Sequence, residues 1–170
     1  LFIKLFIEFD GRFLRLDQGG WLFMPVVERT TFIANRSPEQ VLDFCLEGVN
    51  FPKIFPERVT PLGDLDLNNL RISAGREFRF RHWMFGCIPA NWTVVIREIS
   101  DSHFVDEMLK GPLRAFRHEH RVAPAEGGAL YTDRVTYAAL GGAPLEWLLV
   151  DRYMARIFDA RHRNMLRLLG

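Results

Sequence analysis

The sequence predicts an α+β domain in which one strongly curved antiparallel sheet of about six to seven strands wraps around a long C-terminal helix, with short helices after the first strand. Three observations carry this. From Glu57 to Leu140, apolar residues recur with period two in successive runs separated by Gly, Pro, Asn or Asp. From Pro144 to Leu169 the pattern changes to the helical period. Between an early β-branched run and the meander sits a single capped helical pattern. The meander's connections are short, so neighbouring strands pair antiparallel. A sheet curled around one helix cannot close on it fully, and the gap is where a cavity forms.

A chain of 170 residues is long enough for one core and too short for two ordinary domains. Hydrophobic residues make up 48% and charged residues 25%, the balance of a globular protein. Fifteen Phe and four Trp can fill a tight interior or line a cavity for a flat, greasy ligand. The net charge of +1 offers no field for nucleic acid or an anionic membrane. Cys45 and Cys87 stand alone and far apart, so neither a disulfide framework nor a cysteine zinc site is predicted, and a reducing cytoplasm is the expected compartment.

Taken in order, the apolar N-terminus is broken by Lys4, Glu8, Asp10, Arg12, Arg15 and Asp17, too often for a signal peptide or a membrane span. It reads as a hairpin turning at Asp10-Gly11, and residues 1–23 are expected to be an N-terminal extension to a domain spanning 24–170. V-V-E-R-T-T-F-I-A (26–34) reads as a strand. Ser37 caps a helix with Pro38 at its first position, Val41, Leu42, Phe44 and Cys45 as its apolar face, and Gly48 as its stop. A further turn lays Phe51, Ile54 and Phe55 on the core. Strands follow at E-R-V-T-P-L, 75–85, 90–100, 103–110, R-A-F-R-H-E-H-R-V and 129–140. In the last helix Val150, Met154, Ile157, Phe158, Met165 and Leu168 share a face. Arg161 and His162 are expected to serve that helix's C-terminal dipole or its solvated side.

Strand parity puts Phe116, His118, His120 and Val122 on one face, with Arg117, Glu119 and Arg121 facing solvent. Tyr131, Asp133, Val135 and Tyr137 share the more apolar face of the last strand. On 103–110, either Phe104, Asp106 and Met108 or Val105, Glu107 and Leu109 point inward. Phe78, Phe80, His82 and Met84 share a face, and Trp92, Tyr153, Met154 and Phe158 complete the candidate cavity lining.

The stretches F-V-D-E-M-L-K-G-P-L-R-A-F-R-H-E-H-R-V, T-D-R-V-T-Y and R-I-F-D-A-R-H-R resemble the START-like, or helix-grip, superfamily (SRPBCC), which includes polyketide cyclase/dehydratase-like and lipid-transfer proteins. More narrowly, they resemble an uncharacterised bacterial ligand-binding subgroup, in which an aromatic such as Phe116 stands two before the first His. The resemblance covers nearly everything after Met24. It implies a deep apolar pocket between sheet and long helix for a lipid, isoprenoid or polyketide-like molecule, and it supplies no reaction.

His118 and His120 therefore admit three readings. They are two ligands of a metal site, but this spacing fixes no third ligand, so no metal and no cofactor is expected. Alternatively, either acts as a general base tuned by Asp133 or Asp106 in a cyclase or dehydratase. The reading favoured by the pairing rule for buried polar groups makes His118, His120, Asp133 and Tyr137 bond one another or a ligand's polar end. The expected function is binding of a hydrophobic small molecule, with no nucleic acid and no stable membrane insertion. The second alternative is an interaction module that forms a homodimer through the N-terminal hairpin.

Overall fold

In a computed structural model, residues 6–9, 12–17, 20–139 and 149–170 are described, with side chains from Met24 onward. The Asp10-Gly11 turn and the helix start at Pro144 lie outside the described residues.

Strands β1 (Phe6–Phe9) and β2 (Arg12–Asp17) pair antiparallel with Phe9 opposite Arg12. The hairpin extends into a third strand, β3 (Gly20–Met24), which pairs with β2 in a separate small sheet. Pro25 links β3 to β4 (Val26–Ala34), which alternates buried Val27 and Ile33 with exposed Glu28 and Phe32.

Helix α1 (Pro38–Leu46) begins in a reciprocal capping box: the Gln40 N–H donates to Ser37 Oγ at 3.3 Å, and the Ser37 N–H donates to Gln40 Oε1 at 2.9 Å. Val41, Leu42, Cys45 and Leu46 are buried, whereas Phe44 is only partly so. The helix ends at Leu46, ahead of Gly48, which serves a different purpose. A Cβ on Gly48 would lie 2.7 Å from Leu70 Cδ2. That close approach lets Gly48 N–H bond Leu70 O and Ile72 N–H bond Leu46 O, both at 2.8 Å, pinning the 62–74 segment to the end of α1. A 3₁₀ turn (Gly48–Asn50) leads into α2 (Phe51–Ile54), which buries Ile54 and leaves Phe51 and Phe55 half-buried.

The main sheet has seven strands in the order β4-β10-β9-β8-β7-β6-β5. Its remaining members are β5 (Val59–Pro61), β6 (Glu77–Met84), β7 (Ile88–Ile99), β8 (His103–Lys110), β9 (Ala115–Ala125) and β10 (Gly128–Ala138). Every pairing is antiparallel. Register shifts at Thr93/Val94 and Ile96/Glu98 interrupt the ladder between β7 and β8, where a bulge increases twist and bends the strand. On β8 the open choice resolves with Phe104, Asp106 and Met108 on the helix side. On the far side of β9, Glu119 is not solvated: Arg121 Nε at 2.6 Å and Arg117 at 3.4 Å cover it, leaving it 7% exposed.

The long helix α3 (Asp151–Leu169) packs across the sheet through Met154, Ile157, Phe158 and Met165. Leu168 is exposed, and Leu169 takes the buried place expected of it. Arg161 and His162 are also buried. Two turns before the helix end, Arg161 is too far in to serve the C-terminal dipole, and it lies in the apolar stripe four residues after Ile157 and four before Met165. Among the described residues, no helix is long and apolar enough to cross a membrane.

Candidate functional site

The strand registers bring the polar residues together. His120 lies directly opposite Asp133 on β10 and Phe104 on β8, while His118 lies opposite Asp106. All face the helix side, so one row across three strands forms a compact cluster. His120 Nε2 is 2.9 Å from Asp106 Oδ2, and His118 Nδ1 is 3.4 Å from the same oxygen. On the opposite edges of the rings, His118 Nε2 is 2.9 Å and His120 Nδ1 is 3.1 Å from Asp133 Oδ1. Phe104 stacks on His120 with centroids 3.8 Å apart and planes 11° off parallel, which fixes that ring's orientation.

Behind the histidines, Tyr131 donates its hydroxyl proton to Asp133 Oδ1 at 2.6 Å and accepts from an Arg161 guanidinium N–H at 2.9 Å. Arg161 Nε donates to Asp133 Oδ2 at 2.8 Å. His162 Nε2 is 3.2 Å from the same oxygen, although neither His162 ring nitrogen has a well-directed hydrogen-bond partner among the described residues.

Burial works to raise the Asp133 carboxyl, but the guanidinium of Arg161 and then His118 outweigh it and hold the pKa well below the usual carboxylate value. Burial likewise opposes ionisation of Asp106, yet His118 and the hydrogen bond from His120 keep its pKa below normal. Burial first, and then the neighbouring His120, depress His118 to about 4, so its neutral ring predominates at pH 7. Burial also raises Tyr131 and lifts the Cys45 thiol to about 12.

The cluster forms one polar end of a cavity of about 210 Å³ between sheet and helix. The rest of the lining is overwhelmingly apolar. A second polar group stands elsewhere on the wall: His82 Nε2 is 2.6 Å from Glu57 Oε2, to which the Tyr153 hydroxyl also donates at 2.6 Å. Burial lowers the His82 pKa against the opposing pull of Glu57.

Eleven of the fourteen residues expected to contact a ligand line this cavity, and Met84 and Asp106 line it beside them. β6 contributes Phe78, Phe80 and His82, and β7 contributes Trp92. Phe104 comes from β8, and Phe116, His118 and His120 come from β9. The helix adds Tyr153, Met154 and Phe158. Tyr131, Asp133 and Tyr137 do not reach it: each is fully buried behind the wall, and Tyr137 instead donates to Asp151 Oδ1 at 2.6 Å. The sequence reading missed Arg161 and Cys45 in the lining, together with Leu65, Leu67, Leu70 and Ile72 of the segment pinned by Gly48.

No protein-family model matches the chain, and no curated protein matches it at a significant level. Solved structures do. A START superfamily protein from Mycobacterium smegmatis superposes with a TM-score of 0.65 at 11% identity, over 85% of this chain and 96% of that one. The Zhui aromatase/cyclase from Streptomyces sp. R1128 gives 0.66 at 15% identity, over 86% and 93%. The chain has the START-like helix-grip fold. Major latex-like protein 151 from Panax ginseng shares it as well, with a TM-score of 0.62 at 11% identity over 86% and 97%. At these identities the START-like fold is what is common, and the side chains of this cavity must carry any statement about chemistry.

Proposed function

We propose that the protein reversibly binds a hydrophobic small molecule in the cavity between the sheet and α3. The observation that carries this reading is an apolar cavity of about 210 Å³ with polar groups confined to a few positions on its wall. An engineered cavity of about 150 Å³ admits benzene, so this space suits a ligand segment of about one to two rings. Burying roughly 200 Å² of such a ligand contributes about 5 kcal/mol, short of the ~8 kcal/mol of a micromolar complex. Hydrogen bonds from the histidine cluster or from the His82 and Tyr153 group supply orientation and the remaining affinity.

The enzyme alternative draws less support from the same geometry. A base with a pKa of about 4 is poorly matched to proton abstraction near neutrality, which counts against His118. Asp133 is buried away from the cavity and engaged by Arg161, so it suits positioning the rings rather than acting on a ligand.

The test is native mass spectrometry of gently purified protein with organic extraction of any co-purifying molecule, alongside titration with anilinonaphthalene sulfonate. The reading expects saturable probe binding that Leu113→Trp, which adds bulk to the cavity wall, weakens at least tenfold. Absence of any extractable molecule, with probe binding indifferent to Leu113→Trp, would overturn it.

A further inference from the structure

The sequence offers two imidazoles at a spacing that fixes no third ligand, and the fold supplies one. Asp106 Oδ2, His120 Nε2 and His118 Nδ1 lie within 4.8 Å of one another, and all three residues line the cavity. The oxygen is 2.9 Å from one nitrogen and 3.4 Å from the other. With metal–ligand bonds of about 2.1 Å, ligand atoms stand about 3.0 Å apart at a right angle and about 3.4 Å apart at a tetrahedral angle. The two separations from the carboxylate oxygen therefore match donors around a single small ion, and the two nitrogens lie within 4.8 Å of each other.

The far side of each ring is arranged to suit. A metal-binding histidine presents one lone pair to the ion and donates its other N–H to an acceptor that fixes tautomer and orientation. Asp133 Oδ1 is such an acceptor for His118 Nε2 at 2.9 Å, while His120 Nδ1 meets the Tyr131 hydroxyl at 2.9 Å, and that hydroxyl in turn donates to the same carboxylate oxygen. If His118 donates its one N–H to Asp133, its Nδ1 presents a lone pair toward a carboxylate oxygen. Two acceptors facing each other at 3.4 Å repel unless a cation or proton lies between them. Arg161 balances Asp133 and leaves the charge of Asp106 to be met from the cavity side.

We propose that His118, His120 and Asp106 form a binding site for one divalent first-row transition-metal ion, with its remaining coordination positions directed into the apolar cavity. Two neutral imidazoles and one carboxylate suit zinc or iron(II). Asp133 is a positioning residue for His118 directly and for His120 through the Tyr131 hydroxyl. The site needs no organic ligand, so its test is independent of the hydrophobic-binding reading.

Chelator-treated full-length protein is titrated with Zn²⁺ alone and with Co²⁺ alone, by calorimetry and visible absorption. One ion per chain is expected, with cobalt d–d bands. Asp106→Asn should weaken binding at least tenfold, while His103→Ala, which alters the exposed His103–Glu98 pair, should leave it unchanged. Side-chain ¹⁵N spectra of unmutated protein avoid dependence on the fold of a variant. One equivalent of Zn²⁺ should shift His118 Nδ1 and His120 Nε2 to metal-bound values and leave their partner nitrogens protonated. No stoichiometric binding, affinity unaffected in folded Asp106→Asn, or zinc shifts confined to other histidines would overturn the proposal.

Discussion

Arg161 Nε and Asp133 Oδ2 meet at 2.8 Å, with side chains 3% and 0% exposed, so α3 is joined to β10 by an ion pair inside the core. Asp133 also takes hydrogen bonds from Tyr131 and His118, which supplies the solvation it loses on burial. The pair therefore fixes where the helix lies along the sheet and holds the aspartate that orients the cavity histidines.

Removing both partners of this pair should cost less than the two single losses added together. Arg161→Met leaves Asp133 as an uncompensated buried charge and is expected to destabilise the protein by about 3–5 kcal/mol. Arg161→Met combined with Asp133→Asn should lose clearly less than the sum of the single losses. Urea unfolding of the four proteins measures the coupling; strictly additive losses would mean that each residue acts through other contacts.

Stability of chelator-treated protein should fall as the pH is lowered from about 6.5 toward 4. An unfolded histidine titrates near pH 6.5, whereas His118 in the folded chain titrates at about 4. The unfolded state thus binds more protons throughout that window, and acidification favours unfolding. His82, also depressed by burial, contributes with the same sign. The His118 contribution is bounded at about 3 kcal/mol. Urea midpoints measured from pH 7 to pH 4 should show this slope, and His118→Gln should flatten it; an unchanged slope in the variant would assign the effect elsewhere.

The sheet was legible because period two and turn chemistry agree from Glu57 to Leu140, and parity placed His118, His120 and Asp133 on the same side of their strands. Arg161 was not, since a helical arginine is assigned by default to the solvated face. Its position was the available signal: it stands three residues after Phe158 and four before Met165, within the buried stripe. Asp106 stayed ambiguous because 103–110 carries apolar residues at both parities, and Val105 and Met108, from opposite parities, are both buried. The wall formed by Leu65, Leu67, Leu70 and Ile72 has no repeating pattern, because its backbone is held by Gly48 and Leu46 and its only regular element is a 3₁₀ turn.

Gly48→Ala tests that wall. The added methyl would sit 2.7 Å from Leu70 Cδ2 and 2.8 Å from Leu70 Cβ, so rotating the leucine side chain cannot relieve the clash. The backbone contact must open, with an expected loss of about 1–3 kcal/mol typical of overpacking. Leu70→Ala removes only Cγ and both Cδ atoms, so in the double variant it should recover part of the Gly48→Ala loss while leaving the Cβ contact. Equal Gly48→Ala penalties in both backgrounds, by urea unfolding, would show that the close approach is not the cause.

Phe85 offers a prediction about access to the cavity. It has a φ of 54° in the β6–β7 loop, a conformation unfavourable for most side chains, and its ring contacts that of Tyr153 with centroids 4.3 Å apart and planes tilted by 36° while it is 55% exposed. Glycine at this position would relieve about 1–2 kcal/mol of backbone cost and forfeit about 0.5–1.5 kcal/mol of ring contact. Phe85→Gly should therefore leave stability within about 1 kcal/mol of the parent. Phe85→Val keeps the unfavourable φ, adds β-branching and loses the ring, so it should be the less stable variant. Because Phe85 and Tyr153 both line the cavity, both substitutions should speed release of anilinonaphthalene sulfonate in stopped-flow measurements. Release rates equal to the parent's in two folded variants would place the route of entry away from this loop.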